Sequence, residues 1–173
     1  WLLIALAIKL DSEGPVFFRQ ARFGRDGRDF GMIKFRSMFD GADAQRAALR
    51  TQNGSAGLFK LSEDPRATRV GRFLRRMSLD ELPQLINVLR GEMSLVGPRP
   101  LVADEDVLIE GRHRARLRLN PGMTGPWQVL GPTRPPLAEM VKADYLYAAN
   151  WSLWNDIKIL MRTMVHVVGR RGV

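Results

Sequence analysis

The sequence predicts an α+β fold that is mostly α, with a small N-terminal β-hairpin, several short helices and a C-terminal pair of interfacial amphipathic helices. Two short runs of β-type residues, separated by a polar and glycine-rich stretch, predict the hairpin. Apolar residues at positions i, i+3, i+4 and i+7 predict helices that each bury one face. The length of 173 residues suits one domain with a sizeable core.

The first eight residues are all apolar, and Lys9 follows them. A bilayer-spanning helix needs roughly 20 apolar residues, so this segment is too short to cross a membrane alone. It also lacks the charged flank and cleavage site of a signal peptide. Two interpretations stay open: a buried strand or short core helix, and the tail of a longer hydrophobic segment. We assign residues 1–9 to such a membrane-segment remnant and residues 10–173 to the functional domain.

The hairpin is predicted from residues 16–20 (VFFRQ) and 32–36 (MIKFR), which residues 24–31 connect. Residues 40–50 are rich in alanine and predict a helix, and residues 51–57 predict a loop.

Asp64 and Pro65 predict a helix start, because Asp caps helices well and Pro is tolerated at the first helical position. A second amphipathic helix follows, with Gly91 as its C-terminal stop. The predicted inward residues of the first helix are Val70, Phe73, Leu74 and Met77, and those of the second are Leu82, Leu85, Ile86 and Leu89.

The charge balance is strongly basic, with 27 Lys and Arg against 18 Asp and Glu and a net charge of +9. Such a surface attracts nucleic acid, anionic lipid headgroups or phosphorylated substrates. Cysteine is absent and there are two histidines, which excludes disulfides, cysteine metal sites and multi-histidine metal sites. A bound metal would therefore have oxygen ligands, which favours Mg²⁺ or a similar hard cation.

Two adjacent carboxylates, Asp80 and Glu81, occupy the segment between the two predicted helices. Ser78 and Glu81 fit a capping box, although Pro83 would then fall at the fifth helical position and remove one backbone bond. With Asp80 as the cap, Pro83 would lie in the first turn. Either arrangement places both carboxylates at a helix N-terminus, which favours a bound phosphate. Paired carboxylates can hold Mg²⁺, and one of them could attack phosphorus.

Arg99 lies between Pro98 and Pro100, so its backbone is extended. One interpretation is a rigid surface turn with a solvated arginine. The other is a pre-positioned guanidinium that binds phosphate oxygens, with little side-chain ordering left to do on binding.

Trp151 and Trp154 belong to an aromatic cluster with Tyr145 and Tyr147, ahead of an apolar C-terminal helix. Trp and Tyr favour the headgroup level of a membrane, and the nearby arginines suit anionic lipid. The alternative is an ordinary core helix with buried aromatic residues. The arginines are Arg162, Arg170 and Arg171, and the apolar helix residues are Ile157, Leu160, Met161, Met164, Val165 and Val168.

Taken in order, the motifs resemble the bacterial sugar transferase family, the monotopic polyprenyl phosphate phosphoglycosyl transferases. The resemblance extends from about Lys9 to Thr163, and the ordered set is far more specific than any single motif. The motifs are residues 9–10, 14–20, 34–38, 64–71, 78–85, 93–100, 121–125 and 151–156.

The resemblance implies an enzyme that moves a sugar 1-phosphate from a UDP-sugar to polyprenyl phosphate and releases UMP. It implies that Asp80 is the nucleophile, that Glu81 helps to hold Mg²⁺ or to activate the acceptor, and that Arg99 binds phosphate. Lys34, Arg36 and Arg75 are further candidates for diphosphate binding. It also implies membrane lipid as a partner, with the catalytic domain on the cytoplasmic face of the bacterial inner membrane.

One feature departs from the family pattern, because members carry a hydrophobic helix broken midway by a proline-containing bend. Residues 1–8 contain no such bend. A nucleic-acid-binding module is disfavoured, since the aromatic residues do not interleave with the basic ones. A non-catalytic membrane-associated scaffold of the same fold remains the alternative, and the sequence does not identify the sugar.

Overall fold

The computed structural model describes residues 1–42, 64–129 and 135–169. Four features of the sequence analysis lie wholly or largely outside these ranges: the predicted helix at residues 40–50, the predicted loop at 51–57, Arg170 and Arg171. The α-helices of this part of the chain are α1 (Leu2–Asp11), α2 (Arg69–Arg76), α3 (Gln84–Leu89), α4 (Ala103–Asp106), α5 (Leu137–Ala149) and α6 (Leu153–Val168). The strands are β1 (Phe17–Phe23), β2 (Asp29–Phe35), β3 (Ser94–Val96) and β4 (Gly122–Thr124). The mostly helical α+β class is confirmed.

Strands β1 and β2 form the predicted antiparallel hairpin. Both strands continue towards the turn beyond the predicted runs, so the connection is shorter than predicted. Phe18 lies opposite Lys34 and Gln20 lies opposite Met32. Directly opposed residues of an antiparallel pair project from the same face of the sheet, so this register places Phe18, Gln20 and Lys34 on one face.

Helix α1 packs one side against the hairpin and α2. Ile8 is buried with Phe35 and Leu74, and Ile4 packs beside them. The opposite side of α1 is apolar and exposed, and it consists of Leu2, Leu3, Leu6 and Leu10. The N-terminal segment is therefore a helix of which half is packed, and not a strand. No helix in residues 1–42, 64–129 and 135–169 is both long and apolar enough to cross a membrane.

Helix α2 begins at Arg69, and the predicted start at Asp64 is wrong. The Asp64 carboxylate accepts hydrogen bonds from the backbone and guanidinium of Arg66. Residues 65–66 form a single turn, in which the Ala67 amide donates to the Asp64 carbonyl at 3.0 Å, and Ala67 then forms a β-bridge with Met38. Thr68 caps the helix instead, because its Oγ1 accepts a hydrogen bond from the Gly71 amide at 2.9 Å.

The apolar face of α2 is narrower than predicted, because Phe73 is 59% exposed while Leu74 is buried. Gly71 is needed where α2 crosses the chain after β2. A Cβ at this position would lie 1.9 Å from the carbonyl oxygen of Ser37.

Helix α3 is rotated relative to the prediction. Gln84 and Asn87 are its buried residues, whereas Leu85 is exposed and Leu89 is 88% exposed. The buried side faces β2, where unpaired backbone groups require polar partners. Gly91 follows the helix with a φ of +74°, so the predicted stop is confirmed.

Strands β3 and β4 form a short parallel pair that joins two distant motifs. Gly97 and Gly122 make the close approach possible, because a Cβ on Gly122 would lie 2.1 Å from the Gly97 nitrogen. The pair therefore fixes the start of the Pro98–Pro100 segment against residues 121–125.

The C-terminal helices enclose two apolar clusters. Leu101, Ile109, Trp127, Met140 and Val141 form one cluster, and Val96, Val129, Tyr147 and Ile159 form the other. Tyr147 therefore belongs to the core and not to a membrane-facing surface.

Candidate active site

A cavity of about 390 Å³ opens beside the hairpin and gathers most of the predicted site residues. Its described lining includes six basic and three acidic side chains, so it favours an anionic ligand. The predicted residues that line it are Lys34, Arg36, Arg75, Asp80 and Arg99. Glu81 faces a smaller adjoining cavity, which Lys34 and Arg99 also line.

Asp80 sits in a single 3₁₀ turn, Leu79–Glu81, between α2 and α3. Leu79 and Leu82 pack into the core on either side of it. Both predicted capping schemes are wrong. Ser78 has a left-handed backbone with a φ of 55° and makes no side-chain cap, while Pro83 takes the N-cap position of α3. The apolar neighbours hold the turn in place. Neither carboxylate acts as a helix cap.

The Asp80 side chain is almost fully buried, at 8% exposure. Burial and the negative charge of Glu81, opposed by Lys34 and Arg75, together raise the pKa of Asp80 to about 6. With a pKa of about 6, Asp80 is ionised at neutral pH, which is the form that a carboxylate nucleophile requires.

Glu81 and Lys34 form a close ion pair, with Lys34 Nζ 2.7 Å from Glu81 Oε1. Lys34 reaches this position from β2, whose backbone is held by Asn87. The Asn87 Oδ1 accepts from the Ile33 amide, and its Nδ2 donates to the Gly31 carbonyl, both at 3.0 Å. Sequence reasoning missed Asn87, since it placed the leucines of α3 inward.

Arg99 lines the cavity from a segment whose two prolines are buried, while Arg99 itself is half-buried. Its guanidinium carbon lies 5.8 Å from the centre of the buried Trp127 ring, within range of a cation–π contact. Arg99 is therefore not a solvated residue of a surface turn, and its binding to phosphate stays a prediction.

The guanidinium groups of Arg75 and Arg36 differ in exposure and in the contacts that they make within the chain. Arg75 is partly exposed and makes a long 3.9 Å contact with Asp64. Arg36 is buried, and its guanidinium donates to the Pro15 carbonyl and to both the carbonyl and Oγ of Ser12. Arg36 therefore ties the α1–β1 connection to the cavity wall, which favours a positioning role over direct phosphate contact.

Sequence reasoning missed further polar residues of the cavity, among them Gln20, Arg22 and Glu105. Gln20 and Arg22 extend the hairpin face that carries Phe18, and Arg22 Nη2 donates to Gln20 Oε1 at 2.6 Å. Glu105 from α4 lies 3.9 Å from Arg22. The alternation of side chains along β1 is the signal that could have identified Gln20 and Arg22.

The metal-binding capacity of the site rests on Asp80 and Glu81. Residues 1–42, 64–129 and 135–169 contain no cluster of three or more His, Cys, Asp or Glu side chains that could hold a metal. Two carboxylates nevertheless fit Mg²⁺, which commonly takes one or two carboxylates together with substrate phosphates and water. The repulsion that raises the pKa of Asp80 would be relieved by such a cation.

Trp151 and Trp154 do not line the cavity and are 56% and 64% exposed. Trp151 Nε1 donates to the Asp156 carboxylate at 3.2 Å, and Lys158 lies 5.6 Å from the Trp154 ring. They adjoin an exposed apolar stripe on α6 that consists of Leu153, Ile157, Met161, Met164 and Val165. The ordinary core-helix interpretation fails for these two residues.

The sequence matches a known protein family and several named relatives. The family model described as bacterial sugar transferase matches residues 1–170. The chain is 48% identical over 184 residues to the undecaprenyl-phosphate glucose phosphotransferase of Komagataeibacter xylinus, covering 98% of this chain and 32% of that protein. It is 45% identical over 177 residues to the undecaprenyl-phosphate galactose phosphotransferase of Salmonella typhimurium, covering 99% and 37%.

A third relative is the UDP-glucose:undecaprenyl-phosphate glucose-1-phosphate transferase of Caulobacter vibrioides. It is 46% identical over 174 residues, which cover 94% of this chain and 60% of that protein. The chain spans about a third of the length of the first two relatives. With a family match over almost its whole length, this chain belongs to the bacterial sugar transferase family.

Proposed function

We propose that this chain is the catalytic domain of an enzyme that transfers a sugar 1-phosphate from a UDP-sugar to polyprenyl phosphate and releases UMP. The observation that carries the proposal is the buried, ionised Asp80 in a cavity that Lys34, Arg75 and Arg99 also line. The relatives named for undecaprenyl-phosphate sugar transfer support the same substrate classes. Asp80 and Glu81 are both in place, so nothing favours a non-catalytic scaffold.

The charges of the cavity suit phosphoryl transfer. A diphosphate repels an attacking carboxylate, and surrounding cations must cancel this repulsion before the two can meet. Lys34 and Arg75 already counter the charge of Asp80, and Arg99 adds a planar fork for phosphate oxygens. The cavity can therefore bring an anionic nucleophile and an anionic substrate together.

In the first step, an Asp80 carboxylate oxygen attacks the β-phosphorus of the UDP-sugar. A new bond forms between that oxygen and phosphorus, while the bond from phosphorus to the bridging oxygen breaks. UMP leaves with the electron pair of the broken bond, and the sugar phosphate stays on Asp80 as an acyl phosphate.

In the second step, a phosphate oxygen of polyprenyl phosphate attacks the same phosphorus. The bond to Asp80 breaks, which returns its carboxylate and yields the polyprenyl diphosphate sugar. Glu81 lies next to Asp80 in the chain and is held by Lys34 at 2.7 Å. From this position it would orient the acceptor phosphate or keep it deprotonated.

Asp80 and Glu81 would also hold Mg²⁺ together with the substrate phosphates. When bound, Mg²⁺ supplies charge neutralisation around the diphosphate.

The polyprenyl acceptor requires contact with lipid. The exposed Trp151, Trp154 and α6 stripe, together with the exposed apolar side of α1, offer surfaces for it. We place the domain at the cytoplasmic face of the bacterial inner membrane, where a UDP-sugar is available, and membrane lipid is its partner.

The experiment is a screen of UDP-sugars for UMP release, with undecaprenyl phosphate and Mg²⁺, using the purified chain in detergent. Asp80→Asn serves as the inactive variant, and Asp29→Asn is the matched control, since Asp29 is an exposed carboxylate at the start of β2. We expect UMP from the parent and from Asp29→Asn only. If a folded parent forms no UMP from any UDP-sugar, the proposed function is wrong.

A further inference from the structure

A buried ion pair lies behind the cavity, outside its lining. Arg116, in the 3₁₀ helix Gly111–Arg118, and Asp144, on α5, are 3% and 2% exposed. The Nε and Nη2 of Arg116 each lie 3.1 Å from Asp144 Oδ2. Two charges are costly to bury, and a well-packed apolar pair often gives equal stability. The stability of the fold therefore gives no reason for a charged pair, and not an apolar one, at this position.

Arg116 also contacts the backbone of Arg99, a residue of the candidate active site. Its Nη2 also donates a hydrogen bond to the backbone carbonyl of Arg99. The neighbouring carbonyls are held in the same way by other elements. The Pro98 carbonyl accepts from the Gly122 amide at 2.9 Å, and the Pro100 carbonyl accepts from Arg22 Nη1 at 3.2 Å.

Each carbonyl of the Pro98–Arg99–Pro100 segment thus has a separate donor, and the middle donor, Arg116, is held by the buried Asp144 carboxylate. The prolines on both sides of Arg99 lack an amide hydrogen, so neither can donate a backbone hydrogen bond that would hold the segment in place. The orientation of its backbone determines where the guanidinium enters the cavity. A shift of about 1 Å in such a group can cost roughly 100-fold in rate.

We infer that Arg116, held by Asp144, is a positioning residue that sets the Arg99 backbone and thereby aims the Arg99 guanidinium at the reacting phosphate. The inference rests on the proposed function and adds two residues that do not touch the substrate. It implies that the pair affects turnover only through Arg99.

A double-mutant cycle tests this dependence. The pair is replaced by Arg116→Met with Asp144→Leu, which removes both charges together and leaves no unpaired one. The replacement is made in the parent and in the Arg99→Ala variant, and kcat/KM for UMP release and the thermal midpoint are measured in all four proteins. Arg114→Met is the matched control, because Arg114 lies in the same 3₁₀ helix and binds Asp106 at 3.2 Å and the Ile109 carbonyl.

In the parent background, we expect the replacement to lower kcat/KM by about 10- to 100-fold. In the Arg99→Ala background, the same replacement should change kcat/KM less than about threefold, because no guanidinium remains to be aimed. The change in thermal midpoint should be the same in both backgrounds. Arg114→Met should retain the parent kcat/KM.

An equal fold-loss in both backgrounds would overturn the inference, since the pair would then act through the fold and not through Arg99. An unchanged kcat/KM in the parent background would overturn it as well. If the replacement does not fold, Arg116→Lys is used in the same cycle, because one ammonium group cannot reproduce both contacts of the guanidinium. A folded parent without UMP release would instead refute the proposed function.

Discussion

Replacing Asp80 by Asn is expected to abolish turnover and to stabilise the fold. Burial and the charge of Glu81 raise the pKa of Asp80 from 3.8 to about 6. Because the pKa is higher in the folded chain than in the unfolded one, the ionised carboxylate destabilises the fold. This cost begins as the pH rises above about 3.8 and is complete above about 6.

The difference between these two pKa values corresponds to at most about 3 kcal/mol at neutral pH. Asn keeps the shape of the side chain without its charge, so we expect a gain of about 1–3 kcal/mol in the free energy of unfolding. For a chain of this size, each kcal/mol raises the thermal midpoint by roughly 2–4 °C.

The assay is thermal unfolding of the parent and Asp80→Asn at pH 7.5 and at pH 4, alongside UMP release. The stabilisation should appear at pH 7.5 and vanish at pH 4, where the parent carboxylate is protonated in the fold. Asp29→Asn is the matched control and should leave the midpoint unchanged, because Asp29 is an exposed carboxylate at the start of β2. A lower midpoint for Asp80→Asn at pH 7.5, or a gain that persists at pH 4, would refute the reasoning.

Four further outcomes are expected. Arg99→Ala should lower kcat/KM for UMP release by about 10²- to 10³-fold, with Arg99→Lys in between, and full activity of the alanine variant would remove Arg99 from the phosphate site. Since the ionised form of Asp80 attacks, kcat/KM should rise with pH through about 6, whereas a profile flat down to pH 5 would contradict the raised pKa. Asn87→Leu should lower the free energy of unfolding by about 2–4 kcal/mol, measured in urea, because it leaves a buried amide and a buried carbonyl of β2 without a partner. Replacing Trp151 and Trp154 by Ala should weaken binding to anionic vesicles, and added salt should weaken it further because charges are screened within about 10 Å at 0.1 M; unchanged partitioning would exclude them from the membrane interface.

The sequence predicted those features that depend on local pattern. Two runs of β-type residues and the glycine-rich stretch between them identified the hairpin, and the observed register places Lys34 on the same face as Phe18. Gly91 marked the end of α3. The grouping of Asp80 with Lys34, Arg75 and Arg99 followed from the family resemblance and not from spacing.

The features that were missed depend on contacts between distant parts of the chain. The Asp64–Pro65 pair is a good local helix start, but the chain forms only a single turn there before Ala67 bridges to Met38. The rotation of α3 follows from the need of β2 for a polar partner, which Asn87 supplies across 54 residues. No local pattern reveals such pairings.

The pairing of Arg116 with Asp144 is of the same kind. The two residues are 28 positions apart, and each sits among other charged residues in the sequence. Only the packing of α5 against the 3₁₀ helix Gly111–Arg118 brings them together.

The central claim, that Asp80 carries the sugar phosphate covalently, is tested most directly by mixing the chain with a UDP-sugar and Mg²⁺ in the absence of polyprenyl phosphate. Covalent transfer predicts a burst of UMP equal to the amount of active enzyme. It also predicts a mass increase of one sugar phosphate on the protein, located at Asp80 and absent from Asp80→Asn. If UMP forms only when both substrates are present, and no mass increase is found at any enzyme concentration, transfer is a direct displacement and Asp80 is not the nucleophile.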